Sequence, residues 1–193
     1  MRVIAGKARR LLLKTLPGDT TRPTTDKIKE TLFNVMQGDV PGSAFLDLFA
    51  GSGAIGIEAL SRGAERAVFV ESDRRACTCI RDNLEHTHLS EDAAVMCSDA
   101  LRALRMLEGK GTFDIIFMDP PYDRGLERTV LEYLAGSDLA GEDTLIVVEA
   151  SDRTDFSYLD ALGYAIVKTR EYKTNRHLFM RREYAHSGIP GEL

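Results

Sequence analysis

From Ala44 onward, short apolar or β-branched runs alternate with stretches whose apolar residues recur every three to four positions. Strands carry the first pattern and helices the second, so the alternation predicts a mainly parallel sheet with helices on both faces. Seven runs read as strands: Phe45 to Phe49, Ala67 to Glu71, Ala94 to Cys97, Phe113 to Met118, Thr144 to Glu149, Tyr164 to Lys168 and Leu178 to Arg181. Helical spacing follows at Ala76, Ile80 and Leu84 after Ser72-Asp73, and at Leu101, Leu104 and Leu107 after Ser98-Asp99. In both places the Ser-Asp pair can cap free helix amides. The fold class read from this pattern is α/β, a doubly wound sheet of seven strands.

The first 43 residues differ in character. Residues 1 to 16 are basic and partly alternating, and Pro17-Gly18-Asp19 is a turn signal, so a small β-hairpin is expected. After Arg22-Pro23-Thr24-Thr25, the apolar residues Ile28, Leu32, Val35 and Met36 sit at i, i+4, i+7 and i+8, the spacing of a helix. The stretch after Ala185, with Gly188, Pro190 and Gly191, is expected to be loosely ordered. The chain thus divides into an N-terminal extension (1–43), a main domain (44–184) and a tail (185–193).

With 193 residues, 44% of them hydrophobic, the chain can bury one substantial core. The first apolar run, Leu11 to Leu13, is short and flanked by Arg9, Arg10 and Lys14, unlike a secretory leader, and no other run is long enough to span a bilayer. A cytoplasmic protein without membrane contact is expected, and a monomer, because no apolar stripe is left over once the core is assigned. Cys77, Cys79 and Cys97 make an odd count, which argues against a disulfide framework. Cys77, Cys79, His86 and His88 lack a zinc spacing, so no metal site is read.

Net charge is −5, which taken whole argues against a nucleic-acid partner. Its distribution changes the picture. Residues 1 to 30 carry eight basic side chains against three acidic ones, and residues 168 to 182 carry six against Glu171 alone. If both ends fold onto one face, they form the cationic footprint that a phosphate backbone requires. Arg9, Arg10, Arg22 and Lys27 are the candidate RNA contacts.

The first strand leads into Asp47-Leu-Phe-Ala-Gly51-Ser-Gly53-Ala-Ile-Gly56. Glycines here allow tight turning and close approach of a ligand to helix amides. The pattern also satisfies the dinucleotide fingerprint, so the loop alone leaves a nicotinamide open. Glu71, ending the second strand, can hydrogen-bond ribose hydroxyls in either site. Asp47 favours S-adenosylmethionine, because a carboxylate suits a cationic amino-acid group and repels a pyrophosphate. Asp99, after the third strand, can reach an adenine amino group or simply cap the following helix.

The fourth strand runs into Asp119-Pro120-Pro121-Tyr122 at the end of the sheet where ligands of open α/β folds bind. An exocyclic amine on a base is a poor nucleophile, since its lone pair is delocalised into the ring. The Asp119 carboxylate and the Pro120 carbonyl can accept its hydrogens and aim the nitrogen at a methyl donor. Tyr122 can stack on a base swung out of its helix. Asp119 can also take the surplus proton, although loss to water would serve.

These motifs resemble the bacterial family of small-subunit ribosomal RNA guanine-N2 methyltransferases. The likeness is carried by Met1-Arg-Val-Ile-Ala-Gly-Lys7, Arg22-Pro-Thr-Thr-Asp26, Glu30-Thr-Leu-Phe-Asn34, the stretch from Asp47 to Ala64, Phe69-Val-Glu71 and Asp119-Pro-Pro-Tyr122. It implies a class I methyltransferase fold with an antiparallel last strand. It also implies one guanine of 16S RNA as target, within an assembled or assembling 30S particle, gripped by the basic N-terminal hairpin. By position, Asp47, Gly51, Gly53 and Glu71 inherit cofactor roles, and Asp119, Pro120 and Tyr122 the target-amine roles. Three alternatives remain. An adenine-N6 or cytosine-N4 DNA methyltransferase would need a larger recognition domain than this chain has room for. A nicotinamide oxidoreductase leaves Asp119 to Tyr122 unexplained. A non-catalytic RNA-binding protein would have no use for intact cofactor and amine motifs.

Overall fold

The computed structural model describes residues 1–16 and 26–183. Arg22, and the tail expected to be loosely ordered, lie outside the described residues. The elements run α1 (Asp26–Val35), β1 (Ala44–Leu48), α2 (Ala54–Ser61), β2 (Arg66–Glu71), α3 (Arg74–Thr87), β3 (Ala93–Cys97), α4 (Ala100–Leu107), β4 (Phe113–Met118), α5 (Leu126–Ala135), β5 (Ala140–Ser151), β6 (Tyr164–Glu171) and β7 (Asn175–Arg182). The seven strands form one sheet in the order β3-β2-β1-β4-β5-β7-β6, with β7 antiparallel to both neighbours and the other ladders parallel.

Alternation along the central strands divides the core into two layers, as a sheet covered on both faces requires. Phe45, Phe69, Phe117, Val147 and Phe179 pack with Leu32 and Phe33 of α1, Ile57 of α2 and Ile80 of α3. Leu46, Val68, Ile116, Val148 and Met180 face Leu104 of α4 and Leu131 of α5. Asp73 and Asp99 cap α3 and α4 by accepting the amides of Arg75 and Arg102, as the Ser-Asp pairs predict. Helix α5 has no place in the sequence reading, although Leu126, Val130, Leu131 and Leu134 do recur at helical spacing.

Within residues 1–16 the chain doubles back through one antiparallel bridge, Arg2 to Leu12, while the Pro17-Gly18-Asp19 turn of the expected hairpin lies outside the described residues. Other backbone groups of the segment bond to α2. The amides of Ile4 and Ala5 donate to the two carboxylate oxygens of Glu58, at 2.8 and 3.0 Å, and the amide of Lys7 donates to the Ser61 carbonyl at 2.8 Å. Gly6 has φ +83°, and a Cβ there would lie 1.7 Å from that same carbonyl oxygen, so only glycine permits the docking.

Glu58 itself is fully buried, and Lys29 lies fully buried beside it at 3.0 Å, with Arg62 at 2.8 Å. The Lys29 ammonium also donates to the Arg2 carbonyl at 2.6 Å. Burial pulls the Lys29 ammonium below its ordinary range, against the opposing pull of Glu58. A buried ion pair repays its desolvation only when its remaining hydrogen-bonding sites are filled, and here the N-terminal backbone fills them.

Candidate active site

The site assembles where the chain leaves the carboxyl ends of β1 to β4. Phe49, Gly51 and Gly53 all take left-handed φ values, 63°, 54° and 79°, which turn the chain sharply from β1 into α2. For glycine this conformation is free, whereas for Phe49 it is strained and must be held by its surroundings. Two carboxylates do the holding. The Gly56 amide donates to Asp47 at 2.9 Å, and the Gly51 amide donates to Glu71 at 2.9 Å. Glu71 also accepts the amides of Ser72 and Asp73. Gly56 is needed for a separate reason, since a Cβ there would lie 2.3 Å from the Phe69 ring.

Beside this loop an open cleft of about 240 Å³ is bounded by Phe49, Glu71, Asp99, Leu101, Pro121 and Val130, among others. Its apolar walls and two carboxylates are the mixture expected of a small-molecule site. Asp99 spends one oxygen on capping α4 and still lines the cleft, so the two sequence readings of this residue are compatible.

Asp47 is completely buried beneath the loop. Burial pushes its carboxyl up to about 7, the Gly56 amide opposing and Glu71 adding to the rise. Asp119 follows β4 directly and is mostly enclosed. Its carboxyl is held well above the usual range, first by burial and then by the charges of Glu149 and Asp47. Among the described residues its oxygens accept no hydrogen bond, which leaves them open to a donor from outside. Pro120 is buried, while Pro121 and Tyr122 are exposed.

Tyr122 is held from below by residues that the sequence reading passes over. Its hydroxyl donates to Glu149 at 3.1 Å, and Glu149 also accepts from Asn175 at 2.5 Å and pairs with the buried His177 at 2.9 Å. Tyr172 packs edge-on against His177, with ring centres 5.1 Å apart. Burial alone would raise the Glu149 carboxyl, but His177, Tyr122 and Asn175 together hold it below its ordinary value. Adjacent carboxyls of Asp119 and Glu149 are therefore pushed in opposite directions, the arrangement by which a site separates a proton carrier from a fixed charge. The available signal was an acidic residue closing the apolar run Ile146-Val147-Val148.

The cationic residues are more scattered than charge counting suggests. Arg9 and Arg10 are exposed in the turn docked on the last residues of α2, and Lys27 is exposed in the first turn of α1. The glycine loop lies at the opposite end of α2, about 12 Å away along a helix of this length. Several other basic residues are committed internally. Arg2 pairs with Asp26, Lys14 with Asp82 and Arg181 with Asp39, and Arg176 and Arg182 donate to backbone carbonyls. Cys79 and Cys77 are buried on α3, donating to the Lys14 and Glu71 carbonyls respectively.

The chain is similar to known proteins over most of its length. The family described as Conserved hypothetical protein 95 matches residues 1–181. The YlbH protein of Bacillus subtilis is 43% identical over 150 residues, covering 77% of this chain and 82% of its own. Ribosomal RNA small subunit methyltransferase D of Escherichia coli is 39% identical over 153 residues, covering 78% and 74%. The solved structure of Escherichia coli yhhF superposes with a TM-score of 0.80 at 34% identity, covering 95% of this chain and 98% of that one.

Proposed function

The chain belongs to the conserved hypothetical protein 95 family, and from this premise we propose that it transfers a methyl group from S-adenosylmethionine to the exocyclic N2 amine of a guanine in small-subunit ribosomal RNA. The observation that carries the proposal is the juxtaposition of the glycine loop and cleft with the Asp119 carboxyl, whose oxygens accept no hydrogen bond among the described residues. A dinucleotide oxidoreductase would have no use for that carboxyl.

The cleft suits the cofactor. Apolar walls at Phe49, Leu101 and Val130 fit an adenine ring, Asp99 its amino group and Glu71 the ribose hydroxyls. Gly51 and Gly53 let the backbone come close, and at Gly51 a Cβ would meet nothing within 4 Å, which leaves open space beside the loop. Asp47 supplies negative charge under the loop for the amino-acid end. When bound, the cofactor supplies an electrophilic methyl group on a sulfonium.

The remaining work falls to the chain. Asp119 and the Pro120 carbonyl accept the two amine hydrogens and aim the nitrogen lone pair. Asp119, with its raised proton affinity, is suited to receive the proton that the methylated amine loses. Tyr122, pinned by Glu149, offers its ring face to the extruded base. Arg9, Arg10, Arg22 and Lys27 contact RNA phosphates, with residues 1–43 as the RNA-contacting extension of a methyltransferase domain spanning 44–184. The protein works as a cytoplasmic monomer on an assembled or assembling 30S particle. Among the described residues no helix is long and apolar enough to cross a membrane.

The test is mass-spectrometric nucleoside analysis of small-subunit RNA from cells lacking the gene, before and after adding the purified protein with S-adenosylmethionine. N2-methylguanosine should be missing and then restored. Methylation of adenine or cytosine in its place would overturn the reading.

A further inference from the structure

Strand β6 is the outer edge of the sheet, and its register fixes where its side chains point. Lys168 pairs with Phe179, and Arg170 with His177. Directly opposed residues of antiparallel strands project from the same face. Phe179 packs with Leu32 and Phe33, so Lys168 and Arg170 project on the α1 side of the sheet. Both are exposed, as is Lys173 in the turn closed by the Tyr172 amide on the Asn175 carbonyl. No ion pair among the described residues involves any of the three. The neighbouring carboxylates point elsewhere, Glu171 being opposite Arg176 on the other face and Asp152 beside Arg153.

The same register ties these cations to the reacting amine. Met118 pairs with Val148, so Asp119 is next to Glu149; Glu149 pairs with His177, and His177 with Arg170. One row thus crosses the sheet end from Asp119 to Arg170 in three strand spacings, about 14 Å. Arg9 and Arg10 sit at the far end of α2 instead.

We propose that Lys168, Arg170 and Lys173 form an RNA-strand contact adjoining the active site, holding the phosphates nearest the target guanine, while Arg9 and Arg10 grip a more distant part of the same RNA. This rests on the nucleic-acid reading above. A second copy of the chain is a poorer occupant, because edge-to-edge pairing would bring these cations against their own kind and the register shift at Ile166/Lys168 breaks the ladder such pairing needs.

The test compares Lys168→Ala/Arg170→Ala/Lys173→Ala with Arg9→Ala/Arg10→Ala. Binding to a stem-loop RNA of about twelve nucleotides with one loop guanine, and to whole small-subunit RNA, is measured by fluorescence anisotropy across a KCl series. The triple variant should bind the short RNA about tenfold or more weakly, with a log–log salt slope shallower by about 2, while S-adenosylmethionine affinity by calorimetry is unchanged. Arg9→Ala/Arg10→Ala should lose more on the long RNA than on the short one. Short-RNA binding that is insensitive to the triple substitution but lost with the Arg9/Arg10 pair would overturn the assignment. Wild-type protein that binds neither RNA and methylates neither would remove the underlying functional reading as well, a result separable from the first.

Discussion

Glu149 and His177 meet across the β5–β7 ladder, carboxylate oxygen to ring nitrogen at 2.9 Å, in a place closed to solvent. Through that contact the far edge of the sheet bears on the proposed chemistry, because Glu149 anchors Tyr122 and raises the proton affinity of Asp119. Replacing Glu149 by Gln removes a negative neighbour, so Asp119 should ionise at lower pH. The acidic limb of the kcat/KM profile is expected to move down while kcat falls through the loosened Tyr122. An acidic limb that stays in place would mean that Asp119 is not the group being titrated.

Asp119→Ala should leave cofactor affinity within about twofold and cut kcat by 10² to 10⁴, the usual worth of a positioned acceptor and base. Single-turnover methylation and calorimetry on the same preparation separate the two. Equal losses of binding and turnover would make Asp119 a structural support for the cleft.

Asp47 carries the opposite demands of stability and binding. Its folded-state carboxyl titrates near 7, above the ordinary value of 3.8, because burial penalises the charge. The folded chain therefore retains a proton that the unfolded chain has released, and the stability associated with it is lost as pH rises toward 7. Asp47→Asn should melt higher than the parent at pH 8 and alike at pH 4. Cofactor affinity of the parent should climb between pH 6 and pH 8 as the carboxylate forms, and in Asp47→Asn that climb should vanish. Calorimetry at several pH values reads both, and a flat parental profile would separate Asp47 from cofactor binding.

Glu58→Ala removes the common acceptor of two amides and two cations. Leaving Lys29 buried without its partner is expected to cost about 3–5 kcal/mol in denaturant unfolding. Gly6→Ala should release the same segment without touching the charges, seen as rapid proteolysis near residues 5–10 with the rest of the domain intact. Retained protection in both variants would show that the bridge alone holds the segment.

The strands and the two capped helices were legible because hydrophobic alternation and Ser-Asp caps are local signals. The glycine loop and the Asp119 turn were legible because close approach and amine chemistry restrict residue types. What escaped was polar and non-local. Asn175, Arg176 and His177 extend β7 beyond its apolar run, since they are strand residues whose partners are the Glu149 carboxylate on β5 and the Thr154 carbonyl. Glu58 lay unremarked in the helix after the loop because nothing near it in sequence announces that two amides of the N-terminal segment, Lys29 of α1 and Arg62 just past α2 converge on it. Charge counting is limited for a related reason: it cannot tell a cation that makes no ion pair from one paired at the surface, as Arg2 is with Asp26 and Lys14 with Asp82.

The attachment of the N-terminal segment to Glu58 also sets an order of events during synthesis. Ala5 leaves the ribosome 53 residues ahead of its acceptor. At about 5–20 residues per second it waits roughly three to ten seconds before α2 exists to receive it. During that interval the basic segment with Arg2, Lys7, Arg9, Arg10 and Lys14 has no α2 to dock on, so its attachment can close only after the glycine loop that precedes α2 has been made.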